Sequence, residues 1–207
     1  NIEVMPLAPI TNPVEMNETM NNVVSKLSAS AKYKQLFTKA FGDDLVNSQR
    51  IFKAIAQFMG TMYSYNSKYD LVKSGKAIFT SQEESGYNLF VQKCASCHTE
   101  PLFTDYAFRN NGLSVNVAYH DSGRAHITGN ASDRYKFKTP SLRNVEKSGP
   151  YMHDGRFKNL NEVINHYSGG VKQSKTLSKE LQKQISLSSK EKVDLIAFLL
   201  TLTDKEF

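Results

Sequence analysis

The sequence predicts an all-α fold with long ordered loops, on three observations. Apolar residues recur at three- and four-residue spacing through most of the patterned stretches. Several of those stretches carry a polar start or a glycine stop of the kind that bounds a helix. Strand-like alternation is scarce, and no internal repeat or low-complexity tract interrupts the chain.

In chain order, VEMNETMNNVVSKLSAS (14–30) places Met16, Met20, Val23, Val24 and Leu27 on one face. AKYKQLFTKAFG (31–42) does the same with Tyr33, Leu36, Phe37, Ala40 and Phe41, then stops at Gly42. VNSQRIFKAIAQFMGTM (46–62) aligns Ile51, Ala54, Ile55, Phe58 and Met62. TSQEESGYNLFVQK (80–93) opens with Thr80 and has Glu83 three residues on, the residue pair of a capping box. Residues 99–140 are rich in Asn, Gly, Asp and Pro and lack periodicity. A loop of that length in a compact chain is functional or wraps something. Short helices are expected around 140–146, 159–168 and 177–185. The last, SSKEKVDLIAFLLTL (188–202), starts at Ser188 or Ser189 and faces Leu195, Phe198, Leu199 and Leu202 inward.

With 207 residues the chain is long enough for one good core or two small lobes, and its 40% hydrophobic content is ordinary. The net charge of +6 is scattered. Its densest basic run, Lys172, Lys175, Lys179 and Lys183, is broken by Glu180 and reads as a solvated face rather than a nucleic-acid site. Such a rim can steer an acidic redox partner. No run of about 18 apolar residues is present, so no membrane span is expected. The chain opens NIEVMPLAPITNPVEM, without an initiator Met or a signal peptide, and reads as a mature or cut chain.

The two cysteines of the chain stand in KCASCHTEPLFTD (93–105), with a histidine directly after the second. A disulfide redox pair needs a thioredoxin-like βαβ setting, which is absent. A structural zinc site needs a second ligand pair, and no third cysteine exists. Covalent c-type haem needs what is here: Cys94 and Cys97 to take the two vinyl groups, and His98 to meet the iron. The helix before the motif and the last helix resemble the first and last helices of a class I cytochrome c-like lobe, which cross at a glycine. Gly86 has no Cβ and would permit that approach.

KTPSLRNVEKSGPYMHDGRFKNLNEVINHYSGG (138–170) is more specific. It closely resembles the C-terminal haem domain of bacterial dihaem cytochrome c peroxidases and their methylamine-utilisation relatives. NPVEM (12–16), AIAQFMGTMYSYNSKYD (54–70), SGYNLFVQKCASCHTEPLFTDYAFRNNGL (85–113) and TPSLRNV (139–145) match in order, so the likeness runs from about residue 9 to 202. It implies a helical segment over 1–75 that belongs with an N-terminal haem lobe, and a C-terminal cytochrome c-like domain over 76–207. In that family the N-terminal lobe binds hydrogen peroxide, and the C-terminal haem takes electrons from a small donor protein, a cytochrome c or cupredoxin. This chain has a single CxxCH, so an upstream lobe carrying a second haem is expected in a full-length protein.

For the far side of the iron the candidates are Met152, His153, His166 and Tyr167. The likeness places Tyr167 there, as in the tyrosine-ligated MauG-like branch, where ordinary peroxidases have Met. A phenolate favours ferric iron, whereas methionine raises the potential. The likeness further makes Glu15 the acid of the peroxide pocket, and makes Ser148 and Pro150 carbonyl ligands of an interlobe calcium. Arg124 and Arg143 are candidate partners of the haem propionates, with ordinary salt bridges as the alternative. Phe103, Phe108 and Leu113 are expected to cover the haem face, and His153 to bond near the haem edge or to be an ordinary satisfied histidine. The expected activity is peroxide reduction, in the periplasm or another extracytoplasmic space, and the family resemblance makes a homodimer an expected assembly. The alternatives are a monohaem electron carrier without catalysis and an oxidase of a protein or organic substrate.

Overall fold

The structure is a computed structural model in which residues 1–119 and 121–207 are described. The chain forms two compact units, Asn1–Tyr63 and Ser64–Phe207. Among the described residues no helix is long and apolar enough to cross a membrane.

The first unit is built from α1 (Leu7–Thr11), α2 (Met20–Ala29), α3 (Ala31–Phe41) and α4 (Ser48–Thr61). The α2 helix starts at Met20 rather than at 14, because the Thr19 side chain accepts from Asn22 N and caps it there. Met16 falls in the preceding turn and is exposed rather than on an apolar face. The α3 helix ends at Gly42, whose φ of +92° only glycine adopts without strain. Asn47 caps α4 by accepting from Arg50 N at 2.9 Å. Phe37, Val46 and Ile51 form the core of this unit, with Met20, Val23, Val24, Leu27 and Ile55 packed on it. Phe58 and Met62, expected on the inward face of α4, are exposed.

The second unit contains α5 (Lys68–Lys73), α6 (Ser81–Lys93), α7 (Ala125–Thr128), α8 (Leu160–Asn165) and α9 (Ser189–Leu200). It begins earlier than residue 76 because α5 sends Tyr69 into its core beside Phe90, Phe103, Leu195 and Phe198. Thr80 and Glu83 close a capping box on α6, and Ser188 and Glu191 close one on α9. The two helices cross at Gly86. A Cβ there would lie 1.9 Å from the Asp194 carbonyl oxygen and 2.9 Å from Phe198 Cβ. The crossing therefore needs hydrogen at that position.

Among the described residues, strand structure is confined to one antiparallel pair, β1 (Phe108–Arg109) with β2 (Phe137–Lys138), and isolated bridges. Residues 140–146, expected as helix, are irregular chain that enters turns at 143–147. Their polar groups bond elsewhere: Ser141 Oγ donates to Leu102 O at 2.6 Å, Arg143 Nε to Pro101 O at 3.0 Å, and Asn144 N to Leu202 O at 3.0 Å. The 177–185 helix shrinks to a single 3₁₀ turn at Lys179–Leu181. The 159–168 helix becomes α8 followed by a π-helical turn over His166–Gly170.

Candidate functional site

The C-terminal end of α6 builds the first half of the site. Cys94 N and Ala95 N both bond to Phe90 O, and Cys97 N and His98 N both bond to Cys94 O. This tight turn carries both thiols and the imidazole immediately beyond a helix fixed by its crossing with α9. Neither cysteine is in a disulfide. Burial pushes the Cys94 thiol up to about 12, with the neighbouring Cys97 adding to the effect. Burial also holds His98 below the ordinary histidine value, so the ring is neutral. Its Nδ1 lies 3.0 Å from Phe103 O, and a carbonyl can only accept, so Nδ1 carries the proton and Nε2 is left with its lone pair. Phe103 is fully buried at φ +55°, so its carbonyl cannot drift from the histidine.

The second half comes from α8 and its π-turn. Asn159 caps α8 by accepting from Glu162 N at 3.0 Å, and Leu160 and Ile164 bury its inner face. The extra residue of the π-turn re-aims the side chains after it, a device common at functional sites. Tyr167 sits in that turn. Burial pushes its phenol pKa up, contact with Asn111 opposes the rise, and the thiols of Cys94 and Cys97 add to it. The phenol is thus within electrostatic reach of both cysteines.

The other candidates are placed as follows. Met152 has φ +71°, and its Sδ accepts from Asn111 Nδ2 at 3.3 Å. His166 is buried and donates from Nε2 to Asn111 O at 3.0 Å, which makes it a satisfied structural histidine. His153 stacks on Phe137 at 3.9 Å and 10°. Arg143 forms a two-point pair with Asp70, both contacts at 2.9 Å. Its guanidinium ties 140–146 to α5, which answers to the salt-bridge alternative. Arg124 lies over the Phe108 ring at 4.0 Å and beside Asp133 at 3.5 Å. Leu113 is half-buried and Phe108 exposed. Ser148 Oγ donates to Val145 O at 3.3 Å, and Pro150 lies two residues further along the same loop. Glu15 belongs to the first unit, exposed in the turn after α1, where Asn12 Nδ2 donates to it at 2.8 Å.

Sequence reasoning missed Asn111 and the Phe103 carbonyl. A backbone acceptor has no signature in sequence, and Asn111 looked like a loop asparagine in FRNNGL.

The donor set fits a c-type haem: two unpaired thiols on one turn, an imidazole with Nε2 available, and a buried phenol within electrostatic reach of the same thiols. Comparison with known proteins agrees. The cytochrome c family model matches residues 83–203, and the di-haem cytochrome c peroxidase model matches residues 1–78. A solved MauG-like protein associated with microbial copper homeostasis superposes with a TM-score of 0.84 at 31% identity, over 99% of this chain and 69% of that one. The chain belongs to the di-haem cytochrome c peroxidase and MauG family. The MauG methylamine utilization protein of Methylophilus methylotrophus is 38% identical over 97% of this chain and 61% of its own length. The cytochrome c551 peroxidase of Nitrosomonas europaea is 35% identical over 94% of this chain and 56% of its own length. The chain therefore spans about three fifths of the curated relatives it matches.

Proposed function

We propose that this chain carries the electron-handling haem c of a peroxide-reducing oxidoreductase, in the tyrosine-ligated branch of its family. The observations that carry the reading are the CxxCH turn, closed by bonds from Cys97 N and His98 N to Cys94 O, and a buried Tyr167 phenol whose pKa both thiols raise. When bound, the haem supplies reversible one-electron chemistry at its iron. The chain's residues do the rest. Cys94 and Cys97 would form the thioether bonds. His98 offers Nε2, and the Phe103 carbonyl on Nδ1 sets the tautomer and makes Nε2 a stronger base. Phe90, Phe103 and Phe198 are fully buried in the core against which Cys94 and Ala95 pack. Tyr167 presents a hard oxygen donor where a thioether would raise the potential.

In the complete protein the reading places peroxide reduction at a second haem, with Glu15 as proton shuttle, a small cytochrome or cupredoxin as donor, and calcium at Ser148 and Pro150 between lobes. Haem is attached to cysteines outside the cytoplasm, so the reading puts the protein in the periplasm or another extracytoplasmic space. Tyr167 also favours a second reading, a MauG-like oxidase of a protein or organic substrate, because a phenolate stabilises oxidised iron.

The test is low-temperature electron paramagnetic resonance of the ferric holoprotein beside its Tyr167→Phe variant. Tyrosinate ligation that disappears in the variant is expected. Identical spectra would remove Tyr167 from the iron and leave a simple carrier lobe.

A further inference from the structure

Two rival distal donors, the Met152 thioether and the Tyr167 phenol, stand close to one residue. Asn111 Nδ2 donates to Met152 Sδ at 3.3 Å. Asn111 O accepts from Nε2 of His166 at 3.0 Å, and His166 is the residue directly before Tyr167 in the π-turn. Asn111 is also the polar side chain that contacts the Tyr167 phenol. A thioether sulfur is a weak acceptor, so nothing in methionine chemistry obliges an amide to bond it. Placement alone produces that contact.

That placement is rigid on both sides. Asn110, the neighbour of Asn111, is 3% exposed and anchors the loop. Its Nδ2 donates to Thr176 Oγ1 at 2.8 Å and Ser174 Oγ at 3.2 Å, and its Oδ1 accepts from Gly112 N at 2.8 Å. Asn111 Oδ1 accepts from Leu113 N at 3.3 Å, which leaves Nδ2 to point at the sulfur. Met152 lies in a loop pinned by Tyr151 N to Phe157 O at 2.7 Å, and its own φ of +71° fixes the direction of its side chain.

We propose that Asn111 is the ligand-sorting residue of this site: it holds the Met152 sulfur in a hydrogen bond, away from the iron, and steadies the turn that presents Tyr167. This rests on the reading of Tyr167 as the distal ligand. Asn111 touches both donors and acts through them, so it is a positioning residue.

The experiment uses the holoprotein and its Asn111→Asp, Asn111→Leu, Met152→Leu and Asn111→Asp/Met152→Leu variants. Asp keeps the Oδ1 acceptor of the 111–113 turn and loses only the N–H donor, so it preserves the loop if Leu does not. The readouts are ligand identity from electron paramagnetic resonance and near-infrared magnetic circular dichroism, and the reduction potential. The expected result is a tyrosinate signature in the unmutated protein and in Met152→Leu. In Asn111→Asp a thioether signature and a higher potential replace it. The added negative charge of Asp lowers a nearby potential, so a rise reports the ligand and not the charge. The double variant, lacking the sulfur, returns to tyrosinate. An unchanged tyrosinate signature in both Asn111 variants overturns the sorting role while leaving Tyr167 as ligand. Thioether ligation already present in the unmutated protein overturns both.

Discussion

Asp70 shows how a single residue's charge is used for structure. Burial resists its ionisation, but hydrogen bonds from Arg143 and Ser67 outweigh burial and hold its carboxyl below the ordinary value. A depressed folded-state pKa contributes stability that is present above the unfolded value of about 4 and lost as pH falls through the lower, folded value. Asp70→Asn should therefore cost about 2 kcal/mol at neutral pH in urea unfolding. The gap from the unmutated protein should begin to narrow as pH falls below about 4 and close only below the lower, folded-state value, where Asp70 is neutral too. Cys97 belongs to the same scale. Cys97→Ala leaves one thioether bond to the haem, and the pyridine haemochrome band should move away from the c-type position while haem remains bound through Cys94 and His98. An unmoved band would show that Cys97 is not an attachment point.

At the scale of elements, two helical glycines make opposite predictions. A Cβ on Gly86 would meet the backbone of Asp194 at 1.9 Å, and neither helix can give way without unpacking Phe198 and Leu195. Gly86→Ala should destabilise the second unit by about 3 kcal/mol or prevent its folding. A Cβ on Gly60, within α4, meets nothing within 4 Å. Gly60→Ala should stabilise by about 0.5 kcal/mol, because alanine loses less backbone freedom on entering a helix. Thermal unfolding of the two variants decides both. A tolerated Gly86→Ala would contradict the close crossing on which the CxxCH turn is mounted. The π-turn after α8 is the other element that matters, since it sets where Tyr167 arrives.

For the whole molecule, each unit buries a core of its own, around Phe37, Val46 and Ile51 in one and around Phe90, Phe103 and Phe198 in the other. The CxxCH turn and Tyr167 lie in the second, and Glu15 in the first. Protein made from the complete gene should carry two haems per polypeptide by intact mass and pyridine haemochrome. One haem would sink the two-haem relay and leave a carrier or monohaem oxidase. In that complete protein Glu15→Gln should abolish peroxide turnover and leave covalent haem content unchanged. Retained turnover would return Glu15 to an ordinary turn residue.

The amino-acid sequence by itself determined the features whose causes are local. The starts of α6 and α9 were legible because Thr80 and Ser188 act on donors within three residues, and the stop of α3 because Gly42 is its own cause. The CxxCH donors were legible because one turn of chain holds all three, and Gly86 because a missing Cβ is visible as a letter. Tertiary structure decided the rest, where the partners are far apart in the chain. The 140–146 segment keeps only turn bonds within itself, such as Val145 N to Leu142 O, and bonds otherwise to residues about 40 or 60 positions away, so helical periodicity misled there. Arg143 answers to Asp70 across 73 positions. Asn111 reaches Met152 across 41 positions and His166 across 55. Helix propensity acts over one turn of chain, whereas the choice among candidate ligands is made by packing that closes loops of that length.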